Sequence, residues 1–365
     1  MKIAIITLQA INNYGSVLQT LATEELFRQQ GCDVVTINYK RESASLDNGW
    51  RILTARNLSF KLKLKTLVFH YFFSNTKREL VMGEFRKKYL HLTTTAYNSD
   101  IELELNPPDA DIYCTGSDQT WNTVCQGGIP KPFFLHFVPR GKHKISYAAS
   151  FGVSLLPQKD SEEVKKLLAQ YDAISVRETS GLEILKKMGI NGQCVLDPTL
   201  TLDSQYWSSL AAPRMFKEEY LLAYQLNRNT NYTKYMISYA KKHGLKIVQV
   251  RSRKDTVLNN GICLTAPTPQ EWLSLIKNAK CVLTDSFHAT AFCTLFHKNF
   301  MIIPPNLYSS RINDFLAFVG LTDRVIIDYN DYSYCDIDIN FSHADRVLNN
   351  ARKESLAFIN NAIKL

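Results

Sequence analysis

The chain has 365 residues, 45% of them hydrophobic and 21% charged, with a formal net charge of +9. That length is more than one core comfortably fills and favours two domains, while the composition is that of an ordinary globular protein and excludes a low-complexity chain. The basicity is regional: Arg51 to Lys88 holds ten Lys/Arg against two acids, a surplus of eight.

The opening run MKIAIITLQAI has one Lys before its apolar stretch but no small-x-small cleavage site, so Lys2 to Leu8 reads as a first strand and the chain as cytoplasmic. Apolar residues at 17, 18, 21, 22 and 26 predict a helix over Ser16 to Gln30, closed by Gly31, and DVVTINY predicts a strand over Asp33 to Tyr39. This is a β-α-β unit, hence a parallel sheet with a right-handed crossover. An insert over residues 51–95 then interleaves cations, among them Lys61, Lys63 and Lys65, with Leu, Phe and Tyr. Such a segment packs an apolar side on its own domain or rests on an anionic membrane surface at the inner face, and its apolar run near Leu67 to Phe73 is far short of the ~20 residues of a span. No nucleic-acid module is recognisable, so nucleic acid is not an expected partner.

Further strands are predicted over Ile112 to Thr115, Ile145 to Ala148, Ala173 to Val176 and Gln193 to Leu196, with helices over Ser161 to Gln170 and Thr179 to Lys187. A second series follows Pro213: strands over Tyr220 to Tyr224, Lys246 to Val250, Cys281 to Thr284 and Phe300 to Ile303, alternating with helices over Tyr232 to His243, Pro269 to Asn278 and Ala289 to Phe296. The economical architecture is α/β, with two doubly wound halves over 1–205 and 216–341 and a terminal helix over 342–365. Ligands of such sheets sit beyond the carboxyl ends of the strands, here in a cleft between the halves. The eight cysteines contain no C-x-x-C pair and read as reduced, mostly buried thiols, with no metal site expected.

Every cluster with chemical potential falls just after a predicted strand. Asn12, Asn13, Tyr14, Gly15 and Ser16 form a turn suited to an anion or a polyol, although Ser16 as a mere N-cap is the plainer alternative. Ser117, Asp118, Gln119, Trp121 and Asn122 combine carboxylate, amides and indole, as sugar-binding surfaces do, or else form a turn over a core Trp. Arg177 offers a planar fork for carboxylate or phosphate, or a salt bridge to Glu178. Asp197 and Thr199 line the cleft or simply end a strand. In TDSFHATAF, Ser286, Phe287 and His288 lie where a strand meets a helix; a single His is more often structural, but here the helix dipole lowers its pKa, Asp285 pulls the other way, and a His poised near neutrality is a natural proton donor. Ser310 and Arg311 add a hydroxyl and a second guanidinium.

In this order the segments NNYGSVLQ, GSDQTWN, KISYAASFG, ISVRETSG, VLDPTL, TDSFHATAF and SSRI resemble the polysaccharide pyruvyl transferase family, over residues 1 to about 320. The resemblance implies a GT-B-like fold of two Rossmann-like domains facing a central cleft. It also implies phosphoenolpyruvate as donor and a glycan or lipid-linked oligosaccharide as acceptor, in surface or exopolysaccharide biosynthesis. Protonation of the donor methylene by His288 would let two sugar hydroxyls add as phosphate leaves, giving a pyruvate ketal. Arg177 and Arg311 would clamp the anion and Asp118 would orient or deprotonate the acceptor hydroxyl, with no metal or cofactor required. Family members carry Arg-Leu-His where this chain has Ser286-Phe287-His288, so the lost Arg must be replaced by Arg177 or Arg311, or the donor differs. Two other classes compete: a nucleotide-sugar glycosyltransferase, against which Ser286 to Asn313 contains no acid, and a non-catalytic carbohydrate-binding protein.

Overall fold

The computed structural model describes residues 1–40, 75–227, 229–251, 261–303 and 310–364. Strands β1 (Lys2–Ile6), β2 (Asp33–Tyr39), β3 (Leu92–Tyr97), β4 (Ile112–Thr115) and β5 (His143–Ser146) form a parallel sheet in the order β3-β2-β1-β4-β5. Single bridges, Ile145 to Ala173 and Ala149 to Val176, join it to the pair β6 (Ser175–Val176) and β7 (Gln193–Cys194). The second sheet contains β8 (Tyr220–Gln225), β9 (Lys246–Arg251), β10 (Ile262–Thr265), β11 (Cys281–Thr284) and β12 (Asn299–Ile302). Its order, β10-β9-β8-β11-β12, repeats that of the first, again all parallel. In both sheets the order reverses between the first strand and the fourth, which opens a crevice at their carboxyl ends. The central strands KIAII, IYCT and CVLT carry almost no polar residue because helices cover both faces.

The helices are α1 (Tyr14–Gln29), α2 (Asn75–Tyr89), α3 (Asp100–Leu105), α4 (Gln158–Leu168), α5 (Thr179–Lys187) and α6 (Pro198–Thr201) in the first half. They continue as α7 (Ser204–Leu210), α8 (Thr230–Lys242), α9 (Pro269–Asn278), α10 (Phe287–Leu295), α11 (Ser310–Val319) and α12 (Ser342–Ala362). Helix α9 starts where its sequence says it should, because Thr268 and Glu271 form a reciprocal capping box with Pro269 in the first turn.

The two halves share a core: Ile3, Val17 and Leu26 belong to the same apolar cluster as Trp272, Phe292 and Leu348. Helix α1 is buried along most of its length, and its buried polar groups are satisfied locally, with Gln19 Nε2 donating to Thr7 Oγ1 at 2.9 Å and Thr23 Oγ1 to the Gln19 carbonyl at 2.7 Å. Helix α12 returns to the first half, where Leu196 N donates to Ser355 Oγ at 3.0 Å and Arg352 Nε to the Leu200 carbonyl at 2.8 Å.

In the basic insert, α2 seats Met82 and Phe85 in the core and buries Arg86, which donates to Asn12 Oδ1 at 3.1 Å and Glu79 Oε1 at 2.9 Å. The cations Lys61, Lys63 and Lys65 lie outside the described residues, and with them the expectation of membrane contact. Among the described residues no helix is long and apolar enough to cross a membrane.

Candidate active site

The segments that follow β1, β4, β6, β7 and β11 converge between the halves. At their centre Asp197 caps α6, with Oδ1 accepting from Thr199 N at 2.9 Å and Thr199 Oγ1 at 2.6 Å. Its other oxygen accepts from Arg177 Nη1 at 2.6 Å and Ser117 Oγ at 3.2 Å, and the His288 Nε2 atom lies 3.7 Å away. Burial opposes ionisation of Asp197, but His288, Arg177 and the Thr199 hydroxyl hold its carboxyl far below the usual range.

Asp118 forms the second node. Its backbone is in the left-handed region, φ 76°, a conformation that non-glycine residues rarely adopt outside strained or functional turns. The carboxylate accepts from Ser16 Oγ at 2.8 Å and from its neighbour Gln119 N at 2.9 Å, and guanidinium nitrogens of Arg177 and Arg311 each lie 3.7 Å from Oδ1. Here too burial is overcome, by Arg177, His288, Arg311 and Ser16, and the carboxyl is held below its ordinary value. With its carboxamide oxygen turned to Arg311, Gln119 accepts from Nε at 3.1 Å.

Arg177 lies over the Phe287 ring, 4.8 Å from its centroid, a cation–π contact in a desolvated setting. Burial pulls its proton affinity down, and Asp197, Asp118 and Glu178 raise it overall. Three carboxylates therefore surround two guanidiniums, and the centre is not the plainly cationic clamp that the sequence suggested. Yet Arg177 Nε and Nη2, Glu178 Oε2 and His288 Nε2 are buried and have no hydrogen-bond partner among the described residues. Each has an opposite charge or acceptor at 3.7 or 3.8 Å, just beyond hydrogen-bond length, a spacing at which a polar ligand could add the missing bonds. The N-termini of α1, α5, α10 and α11 begin beside them, and each adds positive potential.

Several sequence expectations need correction. Trp121 is sealed in the core, its ring stacked on Phe134 with centroids 5.5 Å apart and its Nε1 donating to the Phe133 carbonyl at 2.9 Å, so it cannot stack on a sugar. Tyr14 is equally withdrawn from ligands. It stacks on Trp272, centroids 5.1 Å apart, and donates to the Pro267 carbonyl at 2.8 Å, which clamps one half to the other. Asn12 is occupied by Glu79 and Arg86 of α2, and Asn13 rather than Ser16 caps α1, accepting from Gly15 N at 2.8 Å. Asn122 is buried and braces its turn, its oxygen accepting from Cys125 N at 3.0 Å. Ser286 caps α10, and the Ser310 side chain lies outside the described residues. Asp285 does not tune His288: it accepts from Leu226 N at 2.6 Å and Asn227 N at 2.7 Å, fastening the end of β8. The acid beside His288 is Asp197.

In the turn expected to suit an anion or a polyol, the group that approaches Gly15 is the His288 ring. A Cβ at Gly15 would lie 2.0 Å from His288 Nδ1, so only glycine leaves room for that imidazole against α1. Gly15→Ala should displace the ring and cost about 1–3 kcal/mol of overpacking. Denaturant unfolding and the His288 ring resonances check this, and neither would move if the ring has slack. The residue that sequence reasoning missed is Glu178, read only as a salt-bridge partner of Arg177. Among the described residues no group of three His, Cys, Asp or Glu is disposed to hold a metal ion.

Comparison with solved structures sets this architecture in context. A UDP-N-acetylglucosamine 2-epimerase from Rickettsia bellii aligns over 99% of this chain and 96% of its own, with 12% identity and a TM-score of 0.56. The UDP-GlcNAc 2-epimerase of Methanocaldococcus jannaschii aligns over 94% of both chains, with 10% identity and a TM-score of 0.51. Two Rossmann-like halves facing one cleft, with a polar centre at the strand ends, define a GT-B-like fold. A polysaccharide pyruvyl transferase profile matches residues 13–306, and the chain belongs to that family of transferases. No functionally curated protein matches its sequence.

Proposed function

We propose that the protein transfers pyruvate from phosphoenolpyruvate to two hydroxyls of a glycan sugar, forming a cyclic ketal. The observation that carries the reading is the meeting of under-satisfied donors with a buried imidazole: Arg177 Nε and Nη2 and His288 Nε2 make no hydrogen bond, only ion-pair contacts at 3.7 or 3.8 Å, and both side chains meet at Asp197. A donor with one carboxylate and one phosphate would satisfy the guanidinium groups of Arg177 and Arg311, which replace the Arg that Ser286 does not supply. Helix N-termini add to that attraction, and Asp197 steadies the imidazole when it carries a proton.

His288 then protonates the donor methylene, the neighbouring carbon becomes electrophilic, and a sugar hydroxyl bonds to it. A second hydroxyl of the same sugar displaces phosphate. Because it is already tethered, closure is intramolecular and gains several kcal/mol from proximity. Asp118, with both oxygens engaged and its carboxyl held low, is a poor proton acceptor; it positions Arg177, Arg311 and Ser16 around the acceptor hydroxyl. A cytoplasmic location, peripheral at the inner face of the membrane, and a lipid-linked acceptor fit a role in surface polysaccharide assembly.

Thermal unfolding with ligand separates this from nucleotide-sugar chemistry. Phosphoenolpyruvate at about 100 times its Kd should stabilise the protein by about 2.7 kcal/mol, with UDP-N-acetylglucosamine giving no shift. Stabilisation by the nucleotide sugar alone would overturn the proposal in favour of glycosyl transfer.

A further inference from the structure

A cavity of about 510 Å³ opens off the Arg177 and Arg311 guanidiniums toward α11 and α12. Its volume suits one or two sugar rings. Its lining includes the charged side chains of Arg177, Glu178, Arg311 and Asp314 and the aromatic rings of Phe315 and Phe318. Phe318 is 42% exposed.

Glu178 decides what this cavity takes. Its side chain is 4% exposed, and one oxygen is used structurally: Oε1 accepts from Ser150 Oγ at 2.7 Å and from Gly152 N at 3.3 Å. The other, Oε2, has no hydrogen-bond donor among the described residues, and Arg177 Nε at 3.8 Å is too distant to serve. A buried carboxylate oxygen in that state calls for a donor from the ligand. A phosphate or carboxylate oxygen brings no donor for Oε2 and is held instead by the guanidiniums, whereas a sugar hydroxyl supplies one. Aromatic walls offer the apolar faces on which a sugar ring rests.

We infer that this cavity is the acceptor subsite, and that Glu178 Oε2 receives the proton of the sugar hydroxyl that attacks. The inference rests on the pyruvyl-transfer reading and assigns its base. In the first step the hydroxyl oxygen bonds to the phosphate-bearing carbon, its proton passes to Glu178, and the alkene electron pair takes the proton of His288 to make a methyl group. In the second step the other hydroxyl oxygen replaces phosphate, which leaves with its bonding pair. The proton of that hydroxyl restores His288 and the proton held on Glu178 goes to phosphate, so both residues are regenerated and no oxidation occurs.

Glu178→Gln keeps an oxygen for Ser150 and Gly152 but removes the free acceptor, so a purely structural Glu178 tolerates it. The probes are phosphoenolpyruvate with p-nitrophenyl glycosides of glucose, galactose and mannose, read by phosphate release and ketal mass. E178Q should still fold, because Arg177 keeps Asp197 and Asp118 as partners, retain its stabilisation by phosphoenolpyruvate, and lose about 10²–10⁴-fold in kcat without recovery at high pH. Phe318→Ala, at an exposed position, should raise KM for the glycoside about fivefold or more with kcat nearly unchanged. Wild-type turnover in E178Q, or an unchanged glycoside KM in F318A if E178Q does not fold, overturns the assignment while leaving pyruvyl transfer standing. A wild-type protein that phosphoenolpyruvate fails to stabilise overturns both.

Discussion

His288→Asn should lower kcat for pyruvyl transfer by about 10²–10⁴-fold, the usual contribution of a positioned general acid, while leaving the fold and most of the donor affinity intact. The asymmetry follows from the geometry. The imidazole lies 3.7 Å from Asp197 with Nε2 otherwise unpaired, so its removal breaks no hydrogen bond that holds the halves together. The donor's charged groups are assigned to Arg177 and Arg311, which remain. Steady-state kinetics beside a phosphoenolpyruvate melting curve give both numbers at once. Turnover within about threefold of wild type would remove His288 from the chemistry.

Arg177→Ala should cost about 3–5 kcal/mol of stability, because it strips the partner from a buried ion pair. Asp197 would lose its 2.6 Å bond, and Asp118 and Glu178 a nearby cation. The pH dependence has a definite sign. In the wild type the Asp118 and Asp197 carboxyls are held below their ordinary values, so the stability they contribute is present above about pH 3.9 and is lost as the pH falls through their depressed folded values. Without Arg177 burial dominates, the carboxyl values rise, and protonation relieves the unpaired charge. The gap between variant and wild type should therefore narrow as pH is lowered from 7 toward 4, measured by urea unfolding across that range. A gap independent of pH would mean that Arg177 stabilises by packing on Phe287 rather than by charge.

Much of the architecture was legible because buried parallel strands have a plain signature. KIAII and CVLT are short apolar runs that can lie only between covered faces, and Cys281 to Thr284 was located to the residue. Two helices were equally clear, Thr179 to Lys187 and Pro269 to Asn278, both located to the residue. The strands that escaped notice lie at sheet edges. β3, LTTTAY, buries only Tyr97 fully, and β10, ICLT, is half-buried throughout, so neither shows the apolar pattern of a covered strand.

The segments that build the site were legible for a related reason, since polar residues directly after a buried strand stand at the mouth of the crevice. Which of them face it was not. Trp121 and Gln119 share one short turn, yet the indole turns into the core and the carboxamide meets Arg311. Nothing in six residues of sequence encodes that choice.

By itself, then, the sequence determined the local elements, the class of fold, the family and the neighbourhoods of the reactive groups, since periodicity, caps and strand-end motifs are short-range properties. The tertiary structure decided the pairings: Arg177 with Asp197 across adjacent strands, Gly15 beneath His288 from opposite halves, and Glu178, on the cavity lining, with one buried oxygen that accepts no hydrogen bond among the described residues. Those depend on which strands lie side by side and on how two sheets are pressed together. Such distances between residues remote along the chain are set only when the whole core closes.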